Sequence, residues 1–139
     1  MKSNGSRYSQ TDIRTLSGNG AKRSDQDAPP DLQKIAQSIN YMMQHLDQPL
    51  QVATLAATVN VSPSHFFVLF KRRTGCAPID YFIRLRMQRA CQLLMAGSLH
   101  VKEVAAALGY DDPFYFSRVF KSVNRVAPSE YRTQKKSKE

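Results

Sequence analysis

VATLAATVNVSPSHFFVLFKRRTGCAPIDY, from Val52 to Tyr81, and VKEVAAALGYDDPFYFSRVFKSVNRVAPSEY, from Val101 to Tyr131, are two versions of one text. The offset is 49 residues at the start, where Leu55 matches Val104, Ala56 matches Ala105 and Val59 matches Leu108. It becomes 50 after one inserted residue near Pro113, so that Phe66 matches Phe116, Phe70 matches Phe120, Lys71 matches Lys121, Pro78 matches Pro128 and Tyr81 matches Tyr131. A repeat of this length indicates one supersecondary unit used twice.

Each copy reads as two short helices with a tight break. Val52, Leu55, Ala56 and Val59 fall at i, i+3, i+4 and i+7, and Val101, Val104, Ala105 and Leu108 do the same. That spacing is one apolar stripe on a helix. The breaks are Asn60-Val61-Ser62-Pro63 and Gly109-Tyr110-Asp111-Asp112-Pro113. Asn or Gly just past a helix tolerates positive φ. Ser62 and Asp112 suit the N-cap, and Pro63 and Pro113 suit the first helical position. The second helices are predicted to bury Phe66, Leu69 and Phe70 in one copy and Phe116, Val119 and Phe120 in the other. A short helix, a turn of three or four residues and a second helix make a helix-turn-helix. On periodicity alone, a plain helical hairpin in an all-α core fits equally.

Charge favours the first reading. The net charge is +9 and the isoelectric point about 9.8. From Gln48 to Lys102 the only acid is Asp80, against Lys71, Arg72, Arg73, Arg84, Arg86, Arg89 and Lys102. An ordinary solvated surface mixes both signs, so a stretch this one-sided points to a polyanion, here double-stranded DNA.

With the Phe positions buried, Ser64, Phe67, Val68 and Lys71 line the free face of one second helix. Phe114, Ser117, Arg118 and Lys121 line the other. Either stripe fits a major groove. Arg118 is the best candidate for a base edge, because Arg donates two hydrogen bonds to guanine; the alternatives are a phosphate contact or a solvated side chain. Lys71, Arg72 and Lys121 fall about a turn further on and suit phosphates, which position a protein without specifying sequence. Tyr115 lies near the helix start beside Ser117 and Arg118. Phe67 and Val68 cannot hydrogen-bond to bases; they meet thymine methyls or are covered by another protein surface. His65 is a packing residue, a phosphate donor or neither, with packing the favoured reading. The candidate DNA-contacting set is Ser62, Ser64, His65, Phe67, Val68, Lys71, Arg72, Asp112, Phe114, Tyr115, Ser117, Arg118 and Lys121.

GYDDPFYFSRVFK (Gly109 to Lys121) with APSEYR (Ala127 to Arg132) resembles the signature of the AraC/XylS family of bacterial transcription regulators. RLRMQRACQLL (Arg84 to Leu94) is similar to that family's connecting helix, and SHFFVLFKRRTGCAP (Ser64 to Pro78) to its first recognition helix and exit turn. The resemblance covers roughly Asp31 to Arg132. It implies an all-α domain of seven helices, with two helix-turn-helix (homeodomain-like) subdomains joined by a long helix, each presenting a helix to one of two successive major grooves. It also implies transcription regulation, commonly activation through contact with RNA polymerase. Two departures stand out. Phe67 and Val68 replace the family's usual polar residue and Arg. Arg125 replaces its usual Gly after the second recognition helix; Asn124 is expected to take the left-handed conformation there, with Arg125 adding a phosphate contact.

The segment between the copies opens at Pro78 and closes at Gly97, with Ile83, Met87, Ala90 and Leu94 as its apolar stripe. A helix of nearly twenty residues is about 30 Å long, close to one turn of B-DNA at roughly 34 Å. A generic core helix explains the stripe but not the Arg84, Arg86 and Arg89 cluster. The first helix is expected from Asp31 to Leu46, capped by Asp31, with Leu32, Ile35, Ile39, Met43 and Leu46 inward.

The domain expectation is therefore a flexible arm or linker remnant over 1–30, a DNA-binding domain over 31–133 and a flexible tail over 134–139. Within it, subdomain one covers about 31–77, the connecting helix about 78–96 and subdomain two about 98–133. That length is enough for a core. The arm is polar with little to bury and lacks the apolar run of a signal peptide. No apolar stretch is long enough to cross a membrane. Cys76 and Cys91 lack metal or disulfide spacing, and Cys91 reads as a small buried apolar residue. His45, His65 and His100 are scattered, and no catalytic constellation is present. The expectation is no enzyme, no cofactor and no metal, a cytoplasmic, nucleoid-associated protein, and a monomer as this domain alone, with any dimer contacts in a companion domain. Two other readings stay open: a protein-interaction module with loose DNA affinity, and the reading domain of a longer ligand-sensing or enzyme-linked regulator.

Overall fold

The computed structural model describes residues 28–138, with side chains through Gln134. The arm expected over 1–30 falls almost wholly outside the described residues. Among the described residues the fold is all-α, with seven helices: α1 Pro30–Gln44, α2 Val52–Thr58, α3 Pro63–Thr74, α4 Pro78–Ala96, α5 Val101–Ala107, α6 Pro113–Asn124 and α7 Pro128–Lys138. They form two compact units, one of residues 28–45 with 50–82, the other of 46–49 with 83–138. The division falls inside α4, not at its ends, and gives the short segment 46–49 to the second unit.

In the first unit, α1 packs on α2 and α3, and α2 on α3. Pro30 occupies the first position of α1, where its missing N–H costs nothing. Pro29 is the N-cap, so Asp31 is not the cap expected of it; it sits in the first turn, where an acid still favours the positive end of the helix dipole. Ile35, Ser38, Ile39 and Met42 are buried on α1. Met43, expected inward, is 47% exposed, because the buried face continues through Ser38 and Met42. Ser38 is tolerated inside because its hydroxyl donates to the Ile35 carbonyl at 2.8 Å. Leu55, Ala56 and Val59 of the α2 stretch and Phe66, Leu69 and Phe70 of α3 complete this core, as their spacing predicts. Phe70 meets Tyr81 edge-on at 5.3 Å, and Lys34 donates to the Val59 carbonyl at the end of α2 at 3.0 Å.

The second unit repeats this packing. Val104, Ala105, Leu108, Phe116 and Phe120 are buried together with Met87, Ala90 and Leu94 of α4. Phe120 meets Tyr131 edge-on at 5.6 Å, the counterpart of the Phe70–Tyr81 pair. Fully burying one such ring stabilises by about 1.5–3 kcal/mol, so Phe116 and Phe120 carry much of this small core. Burial, with a hydrogen bond to Cys91, pushes the Tyr131 hydroxyl up to about 12. Cys91 is half-buried, with its sulfur 3.7 Å from Asn124 Oδ1. Arg132 ties the unit's end down by donating to the carbonyls of Leu94 and Leu99. The α7 backbone is helical through Lys138, beyond the point near Thr133 where the sequence argues for a tail.

Candidate nucleic-acid interface

Two local rules place the second helix of each pair. The first is the turn. Asn60 takes φ 61 after α2, and Gly109 takes φ 84 after α5, both left-handed. The inserted residue of the second copy is accommodated here, between Gly109 and Asp112. Gly109 has a further reason to lack a side chain: a Cβ would lie 2.7 Å from the Asp47 carbonyl oxygen. The second rule is the cap. The Ser62 hydroxyl accepts from the His65 N–H at 3.1 Å, and the Asp112 carboxylate from the Phe114 N–H at 2.9 Å. Each satisfies a donor the helix start leaves unpaired. In the first unit α2 and α3 meet at 87°, close to the angle of helix-turn-helix pairs.

On α3, Ser64, His65, Phe67, Val68, Lys71 and Arg72 are all exposed. His65 is therefore not the packing residue its position beside Phe66 suggests; its contribution to the fold is its main-chain N–H. Lys71, Arg72 and Arg73 end the helix, where the dipole favours cations. Arg73 also faces Asp31 at 3.9 Å, an exposed pair that is worth little.

On α6, Phe114 is 75% exposed, Tyr115 51%, and Arg118 and Lys121 are exposed, while Ser117 is half-buried. The guanidinium carbon of Arg118 lies 5.7 Å from the Tyr115 ring centre, a cation–π contact that holds a long side chain against a rigid plate. Tyr115 in turn lies 6.1 Å from Tyr110. Burial raises the Tyr110 hydroxyl above its ordinary value, and Arg86 opposes part of that shift.

Arg86 corrects the charge reading. It is buried, with its guanidinium 5.0 Å from the Tyr110 ring. Nε donates to the Leu46 carbonyl and Nη2 to that of Gln48, each at 2.8 Å. Its cation fastens segment 46–49 to the second unit and is not available to a polyanion. Sequence reasoning missed this role, because the acceptors are main-chain atoms 38 and 40 residues away. Arg125 is the other correction. It takes φ 73 itself, and Asn124 remains the last residue of α6. Arg125 thus matches Gly75, which takes φ 88 after α3.

Each unit therefore carries a second helix whose outer face holds cations and no carboxylate beyond the cap, positioned by a turn and a buried Phe pair. Residues 55–134 match the family model of a helix-turn-helix domain. The chain belongs to the AraC/XylS family. Among AraC/XylS relatives, it is 45% identical over 92 residues to the MmsAB operon regulatory protein of Pseudomonas aeruginosa, covering 66% of this chain and 30% of that one. A transcriptional regulator of Chromobacterium violaceum with an AraC-type DNA-binding domain superposes with a TM-score of 0.70 at 29% identity, over 73% of this chain and 91% of that one. The DNA-binding domain of the global transcriptional factor AdpA, solved with a target DNA, gives 0.71 at 28% identity over 76% and 96%. The chain spans about a third of the length of the curated AraC/XylS relatives it matches.

Proposed function

We propose that this chain is a sequence-specific reader of double-stranded DNA that regulates bacterial transcription, with α3 and α6 lying in successive major grooves. The observation that carries the proposal is the matched pair of outward stripes. Ser64, Phe67, Val68 and Lys71 on α3, and Phe114, Ser117, Arg118 and Lys121 on α6, stand at helical spacing over a repeated core. Arg118 reads a base edge, with Tyr115 holding it; Lys71, Arg72 and Lys121 meet phosphates; and the Ser62 and Asp112 caps set each helix start. The AdpA domain, solved with target DNA, supports the same use of this fold.

The proposed role is binding: the exposed faces of α3 and α6 carry hydrogen-bond donors and cations. The companion reading is that these residues are the DNA-reading part of a longer regulator, since the stretch they share with the matched relatives covers only 30% and 35% of those proteins. In that setting residues 31–133 are the reading domain, RNA polymerase is the partner for activation, the cytoplasm is the compartment, and dimer contacts belong to another domain.

Selection of bound duplexes from a random pool at about 150 mM salt tests this, since affinity without a salt value is uninterpretable. Two enriched blocks one helical turn apart are expected. No enrichment of any sequence would overturn sequence-specific reading.

A further inference from the structure

We infer that α3 reads thymine through its C5-methyl groups, so that the half-site under the first unit is specified by apolar contact and not by hydrogen bonds. This deepens the DNA-reading proposal and rests on it. Phe67 and Val68 are adjacent on α3, 41% and 54% exposed. The opposite face of the helix already buries Phe66, Leu69 and Phe70, so the core has no claim on them. Their occupant is identified by charge. No acid stands among the 12 residues of α3, and Lys71 and Arg72 lie about one turn further along it. A surface that is apolar at its centre and cationic at its end suits a polyanion with apolar groups in reach. In the major groove of DNA the protruding apolar group is the thymine methyl; the distinctive marks of the other bases are polar donors and acceptors. Ser64, at the start of the same stripe, hydrogen-bonds to any base and adds little discrimination. On α6 the equivalent of Val68 is Arg118, whose preference is guanine. The two heads therefore read opposite chemistries, methyl and acceptor pair.

Deoxyuridine substitution tests this without touching the protein, because it removes the methyl and keeps Watson–Crick pairing. In the best selected duplex, every thymine of one half-site at a time is replaced, and the chain is titrated at about 150 mM salt. The half-site under α6 is identified as the one whose base preference Arg118→Ala relaxes. In the other half-site, affinity is expected to fall about fourfold for each methyl in contact, from the transfer value of one buried methylene-sized group. A Phe67→Ala/Val68→Ala variant should bind more weakly and no longer distinguish thymine from uracil there. Both side chains are exposed, so its melting temperature should match the parent. Unchanged affinity for uracil duplexes, or a double variant as sensitive as the parent, would overturn the methyl reading and leave the face to a protein partner. Failure of the parent chain to select any duplex would instead sink the DNA-reading proposal beneath it.

Discussion

Replacing Arg125 with Gly is expected to stabilise the second unit. Arg125 stands at φ 73, and its counterpart after α3 is Gly75 at φ 88. In that region the Cβ of an L-residue crowds the following carbonyl, at a cost of roughly 1–2 kcal/mol that Gly does not bear. Gly also enlarges the freedom of the unfolded chain, which takes back about 0.4–1 kcal/mol. The net gain is about 0.5–1 kcal/mol, or a few degrees in Tm for a domain of this size. Thermal and urea unfolding followed by circular dichroism reads it directly. Two controls separate the backbone from the charge. Arg125→Ala removes the same guanidinium but keeps a Cβ at positive φ, so it should show no gain. Gly75→Ala adds a Cβ that meets nothing within 4 Å, so any loss there reports conformation alone; about 1 kcal/mol is expected. If Arg125→Gly and Arg125→Ala shift Tm equally, the cause is charge and the backbone argument is refuted.

Arg118→Ala should cost on the order of 1–3 kcal/mol of binding and relax base preference at one position; an equal loss on every sequence would deny it a base. Lys71→Ala should weaken all duplexes alike and lower the salt slope by about one, measured by titration across salt concentrations. Arg86→Met should destabilise the second unit by about 2–4 kcal/mol in urea unfolding, because the Leu46 and Gln48 carbonyls lose charged donors. Arg86→Lys should not rescue it, since one ammonium does not reproduce the fork. Stability should fall at alkaline pH: Tyr131 is raised to about 12, so the folded state holds its proton more tightly than the unfolded chain. The contribution is present below pH 10 and lost as pH climbs from there through 12, which a series of melts would show.

What was legible from the chain was local. The 49-to-50 offset located both helix pairs, and the Ser62 and Asp112 caps and the buried Phe residues stand where spacing put them. What was not legible depends on partners remote in sequence. The apolar stripe of α1 allows either Met42 or Met43 inward, and only packing against α2 and α3 decides for Met42. Arg86 looks like one more surface cation until segment 46–49 is folded beneath it. Asn124 has the better intrinsic claim to a left-handed conformation, yet the repeat places that turn one residue later. Matching Arg125 to Gly75 would have corrected this from sequence, because helix length is held by the Phe pair and not by the preference of one residue.

The two copies diverge where the fold permits it. Phe66, Phe70 and Tyr81 have direct counterparts in Phe116, Phe120 and Tyr131, down to the edge-on ring contact. Those positions answer to a close-packed interior in which a single methylene is felt. Val68 against Arg118 answers only to whatever lies outside, since both side chains are exposed. Exposed apolar side chains in one copy and an Arg braced by Tyr115 in the other are hard to attribute to the fold, because neither set contributes to burying the core. The difference between the faces is therefore the part of this chain that an external partner accounts for. On the proposed reading, a duplex presenting methyls to one helix and guanine to the other accounts for both faces with a single ligand, and its phosphates suit Lys71 and Arg72, cations that the end of the α3 dipole also favours.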